Sequence, residues 1–90
     1  MSQHAVLHLD KEEVLGQVVS ASCTAPEKSV GFLFYADGVE LLEVSTKAQS
    51  VAVKLTLPAS GVFNVHCEYI PAELSNKVSV ASYEVRLRLG

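Results

Sequence analysis

The sequence predicts an all-β domain, an antiparallel β-sandwich of seven or eight short strands. Three observations carry that expectation. Apolar residues recur at every second position in runs of five to nine residues, the period of a half-buried strand, whereas the spacing of an amphipathic helix is nearly absent. Turn signals follow one another every eight to twelve residues, as they do when short strands stack in two layers. Two cysteines, Cys23 and Cys67, lie 44 positions apart on the apolar faces of two of these runs.

Taken in order, residues 5–9 form a first strand, and a second short piece around Val14 and Leu15 follows the charged run Asp10-Lys11-Glu12-Glu13. A kinked, charged pair of this kind belongs at a sheet edge. Residues 18–24 put Val19, Ala21 and Cys23 on one face and serines on the other, and Ala25-Pro26-Glu27-Lys28-Ser29 then turns the chain. The most apolar strand, residues 30–36, stops at Asp37-Gly38, a dipeptide suited to the positive backbone angles of a tight hairpin. Residues 39–44 should therefore pair back on it. Val51, Val53, Leu55 and Leu57 alternate cleanly with small or charged residues. A corner at Pro58-Ala59-Ser60-Gly61 leads into residues 62–69, with Phe63, Val65 and Cys67 on one face, and residues 70–77 read as a loop carrying Ile70, Pro71 and Leu74. In the last strand, residues 78–89, the inward set shifts from Val78 and Val80 to Tyr83, Val85, Leu87 and Leu89, which predicts a bulge near Ala81-Ser82.

Composition narrows the function classes. With 49% apolar and 19% charged residues in 90 positions, the chain is too hydrophobic for disorder and long enough for one core, so residues 1–90 read as a single domain. Seven basic against ten acidic residues give a net charge of −3, which excludes the field that non-specific nucleic-acid binding needs and leaves no polybasic membrane patch. The longest uncharged apolar stretch, residues 30–36, is about a third of a membrane-spanning helix, so no membrane contact is expected within these residues. Enzymatic motifs are missing: there is no glycine-rich phosphate loop, no Gly-x-Ser-x-Gly elbow and no paired His and Glu. His4 and His8 share a strand face about 13 Å apart, too far to hold one metal ion. We therefore expect no catalytic residues, no metal and no cofactor.

Two inward cysteines on separate strands, with the large ring of Phe34 eleven positions after the first, suit a disulfide joining two sheets. The alternative is a pair of buried free thiols acting as small hydrophobes. With Gly16 leading into Val19, Ala21 and Cys23, with Phe34-Tyr35-Ala36-Asp37-Gly38 in the middle and with Ser60-Gly61 opening the strand of Cys67, the chain resembles an immunoglobulin-superfamily domain over nearly its whole length. The Tyr35-Ala36-Asp37-Gly38 turn is most similar to those of leukocyte and Fc-receptor-like ectodomains. Two departures stand beside the likeness: the chain has no Trp, so Phe34 occupies the core-aromatic place, and Val65 stands where a corner tyrosine is common. The resemblance implies a constant-like or intermediate-type domain, a Cys23 to Cys67 bond, and an extracellular setting in which signal peptide and anchor lie outside these residues.

Recognition is the function class that remains. With Phe32 and Phe34 inward, Leu33 and Tyr35 point outward, and His66 and Glu68 of the neighbouring strand flank them; Leu41 or Leu42 on the hairpin return extends this patch, and Arg86 or Glu84 on the last strand edges it. A second candidate surface is the loop end with Glu27, Lys28, Ile70, Glu73 and Leu74. The expected partner is a protein ligand or a sister immunoglobulin domain, with a homodimer through the same face as a further class. The reading that follows is a non-catalytic receptor domain that binds a protein. A structural spacer in a multi-domain receptor and an intracellular sandwich module with reduced cysteines are the alternatives.

Overall fold

The computed structural model describes residues 3–73 and 78–90. Among these residues eight strands run in the order β1 Val6–Leu15, β2 Val18–Thr24, β3 Ser29–Ala36, β4 Val39–Ser45, β5 Ser50–Thr56, β6 Gly61–Pro71, β7 Val80–Ala81 and β8 Val85–Leu89. One sheet has the order β1-β2-β5; the other has β4-β3-β6, with β7 and β8 both on the far side of β6. Every strand pairing is antiparallel. The two sheets face each other as a sandwich, and no described helix is long and apolar enough to cross a membrane.

Alternation decides what lies between the sheets. Val19, Ala21 and Cys23 of β2, Leu55 of β5 and Leu57 just beyond it, Phe32 and Phe34 of β3, Val65, Cys67 and Tyr69 of β6, and Leu87 and Leu89 of β8 are all buried. Their strand neighbours point the other way, as the two-residue period requires. The Cys23–Cys67 disulfide joins β2 to β6, and so one sheet to the other, with a Cα–Cα distance of 6.3 Å. It leaves no free cysteine among the described residues, so the paired alternative holds over that of two thiols.

Irregularities fall where the chain needs extra residues. From Asp10 to Val14 β1 advances four positions while β2 moves one, from Ser20 to Val19, so the charged run bulges out of the edge strand. That makes one kinked strand of the two expected pieces, and the charges blunt an edge on which other chains could pair. The β3–β4 hairpin turns on Asp37 (φ 50°) and Gly38 (φ 78°), the positive angles expected of this dipeptide. Leu41 is the extra residue of a bulge between the Phe34–Leu42 and Tyr35–Glu40 pairs. In the last segment, Ala81 lies opposite Glu68 and Val85 opposite Val65, so four steps on one side match three on the other. This is the expected bulge, but residues 82–84 are not extended in the ladder, so the expected single long strand is divided into β7 and β8. Tyr83, expected inward, falls within that break and is 75% exposed, its ring packed edge-on against His4. Val78, also expected inward, is exposed.

Candidate functional site

The outer face of the five-stranded sheet is built from the odd positions of β3 and the even positions of β6. Tyr35 pairs with His66 and Leu33 with Glu68, so all four side chains stand on the face turned away from Phe32 and Phe34. The Tyr35 and His66 rings lie parallel, 3° apart in tilt, with centroids 4.7 Å apart. His66 Nε2–H donates to Glu68 Oε2 at 3.0 Å, and Ser79 Oγ–H donates to Glu68 Oε1 at 2.6 Å. Both carboxylate oxygens of Glu68 are thus engaged, which holds the imidazole flat against the phenol. The four residues form a rigid, half-buried platform rather than four independent side chains.

Charge gathers on one side of that platform. Glu40 of β4 pairs with Tyr35 and Glu43 with Leu33, so both belong to the outer face. Partial burial, followed by the negative charges of Glu68, Glu40 and Glu43, holds the Tyr35 phenol above its ordinary pKa. On the opposite edge, Arg86 pairs with Asn64 and Arg88 with Val62, and both arginines are exposed. Among the described residues neither arginine is ion-paired.

Ile70 changes surfaces. Expected at an exposed loop tip, it lies inside β6, which runs on to Pro71, and it is half-buried. Its partner in the ladder is Gly31. A Cβ on Gly31 would meet the Val44 carbonyl oxygen at 3.0 Å and Ile70 Cδ1 at 3.4 Å, so the glycine is what lets Ile70 lie down over β3. Ile70, Leu33 and the Tyr35–His66 pair thereby make one apolar stripe along the face. Leu41 does not extend it, because its position in the bulge packs it against the core beside Leu42. Leu74 lies outside the described residues. Of the loop-end surface, Glu27 has a structural partner instead: Tyr69 Oη donates to Glu27 Oε2 at 2.6 Å.

That Tyr69–Glu27 bond escaped sequence reasoning. Tyr69 continues the inward parity of Val65 and Cys67, so its burial was readable, but nothing in a linear sequence matches it with a carboxylate 42 residues earlier. Burial first, then the hydrogen bond and charge of Glu27, push the Tyr69 phenol up to about 12. A tyrosine in the unfolded chain ionises near pH 10. The folded state thus prefers the phenol, and the stabilisation is fully present below pH 10 and lost as pH rises from about 10 to about 12. Tyr69→Phe is expected to cost about 1–2 kcal/mol at neutral pH. It should also shrink the loss of stability above pH 10, leaving the part due to the raised Tyr35 phenol, as read by urea melts across pH; an unchanged alkaline limb would overturn the assignment.

With this geometry in hand, no protein-family profile matches the chain, and neither curated proteins nor solved structures give a match. The residues themselves therefore carry the functional argument.

Proposed function

We propose that this is an immunoglobulin-like recognition domain of an extracellular receptor or adhesion protein, which binds a protein ligand through the outer face of its five-stranded sheet. The observation that supports the reading is the stripe of Ile70, Leu33 and stacked Tyr35–His66, apolar at its centre, immobilised by Glu68 and Ser79, and rimmed by the exposed charges of Glu40, Glu43, Arg86 and Arg88. Rigid aromatic groups that combine an apolar body with a polar tip are the side chains that anchor protein interfaces, since they lose little rotamer freedom on binding. A disulfide buried at the centre of the core supports folding in an oxidising environment, in keeping with secretion.

The test is a paired substitution. Leu33→Ser with Tyr35→Ser changes only outward side chains, so the melting temperature should shift by no more than about 3–5 °C, corresponding to less than about 1 kcal/mol for a domain of this size. Binding of the multimerised domain to an array of cell-surface ectodomains should fall at least about tenfold for the partner that the unsubstituted domain captures. If the substitutions leave that capture intact, the ligand sits on another surface of the domain; if the unsubstituted domain captures no ectodomain, it is a spacer.

A further inference from the structure

We propose that the outer edge of β5 is a strand-pairing site whose occupant is β5 of a second copy, so that two three-stranded sheets join into one of six strands. This edge belongs to the other sheet, away from the face that carries Leu33 and Tyr35. The rim of a sheet offers a row of peptide groups to any passing strand, and proteins guard it with bulges, charges or breaks. Three of the four edges here are guarded in that way. β1 has the bulge between Asp10 and Val14 with its charged run, and β4 has Glu40, Glu43 and the bulge at Leu41. The far side of β6 is divided between the two-residue β7 and the five-residue β8 with Arg86 and Arg88. β5 has none of these devices. Its seven residues keep an unbroken register with β2, from Ser50 opposite Thr24 to Thr56 opposite Val18, and they include no proline and one charge, Lys54. The Lys54 ammonium donates to Ser20 Oγ of β2 at 2.9 Å, so it lies back over the sheet and not across the edge.

Parity fixes what the edge exposes. The β2–β5 ladder is extended at its ends by Leu57 N–H donating to the Gln17 carbonyl at 2.9 Å and by Ala25 N–H donating to the Gln49 carbonyl at 2.8 Å, so the odd residues of β5 bond to β2. The peptide groups of the even residues, Ser50, Ala52 and Thr56 among them, therefore point away from β2. On the inner face, Val51 and Val53 are only half-buried although they pack against the core, whereas Leu55 of the same strand is 1% exposed. An antiparallel copy of β5 covers both the peptide groups and the valines. With a two-fold axis through Val53 and normal to the sheet, Ser50 falls opposite Thr56, Ala52 opposite Lys54 and Val51 opposite Leu55. Outward peptide groups then meet outward peptide groups, as the alternation of an antiparallel ladder requires. Val53 meets its own copy in a non-hydrogen-bonded pair, where side chains approach most closely. This axis alone pairs all seven residues, and an axis at Lys54 would set one lysine against the other. A second copy is favoured over an unrelated strand because it repeats the valines and the small residues at the same spacing on the same faces.

Sedimentation equilibrium combined with amide hydrogen exchange on the intact domain decides the proposal. The unsubstituted chain should dimerise with a dissociation constant on the order of 10–100 μM, and the amides of Ser50, Ala52 and Thr56 should become protected as its concentration passes through that range. Ala52→Pro removes an N–H that β2 does not use, so the fold should be kept, since proline is tolerated on an edge, while dimerisation should weaken at least about tenfold. Charges at the same position test the register without a proline. Ala52→Lys sets a lysine opposite Lys54 of the other copy and should weaken the dimer about threefold or more; Ala52→Glu should tighten it by a similar factor at low salt, both with urea midpoints near that of the parent. A chain that stays monomeric overturns the proposal, as does a dimer that leaves these amides unprotected or that none of the three substitutions alters. Protection of the β5 edge only after another ectodomain is added would replace the second copy with a foreign strand. Leu33→Ser with Tyr35→Ser alters the other sheet and should leave the β5 dimer intact, so this result stands or falls apart from the reading of the outer face.

Discussion

Replacing Cys23 and Cys67 together with alanine is expected to lower the stability of the domain by about 4 kcal/mol, the loop-closure entropy that a bond across 44 residues removes from the unfolded chain. A domain of this size has a total of about 5–13 kcal/mol, so the loss is a large share of it. The site adds to the effect. Both cysteines are fully buried, and the bond is the covalent link between β2 and β6, the central strands of the two sheets. Urea melts of the two proteins should show the midpoint falling and the slope steepening, because the unfolded chain freed of the cross-link exposes more surface, and titration of the denatured, unreduced parent should find no free thiol. Two thiols per chain, or a double variant with an unchanged midpoint, would remove the bond from any account of stability.

Much of this architecture was legible because strand parity is a strict code. Cys23, Phe34, Cys67 and Leu87 were assigned inward by counting in twos, and each is buried. Asp37-Gly38 fixed the β3–β4 hairpin because so few dipeptides accept two positive φ angles in succession. The same counting put Leu33, Tyr35, His66 and Glu68 on a shared outer face, where the ladder pairs them two by two. Counting fails wherever the ladder gains a residue. Leu41 sits in one bulge and turns to the core; Tyr83 sits in the break beyond Ala81 and turns to solvent. Ile70 was misplaced for a different reason. Pro71 reads as a strand terminator, yet it is accommodated as the last residue of β6, where the register against β3 shifts between Ser29 and Gly31. The hydrogen bonds that stiffen the face, from His66 and Ser79 to Glu68, depend on rotamers and on the arrival of a third chain segment, which no local pattern encodes.

The second large effect is expected at Phe34. Its ring is fully buried on β3, with Cys67 beside it on β6 and Leu42 beside it on β4, so it packs at the level of the disulfide. Phe34→Ala should cost about 3–5 kcal/mol, from the apolar surface no longer withdrawn from water and from the cavity that surrounding strands, tied by the disulfide, cannot collapse to fill. Leu33→Ala, one residue away on the same strand but on the outer face, should cost less than about 1 kcal/mol, and this contrast isolates facing from strand propensity. Phe34→Trp asks whether the core would accept a larger aromatic at this position. The buried core that holds Phe34 is filled to the point that its ring is fully enclosed, with Ala21, Ala25 and Ala36 in the same cluster, so the larger indole should be overpacked and destabilise by about 1–3 kcal/mol. Ring and bond should also be coupled. Removing the disulfide frees the strands to close over the missing ring, so Phe34→Ala in the background lacking both cysteines should cost less than in the parent, by at least about 0.5 kcal/mol in a double-mutant cycle. Urea melts of the four proteins measure this, with the alanine variants read at low temperature where they remain folded. Additive costs would mean that the ring and the disulfide hold the two sheets together independently.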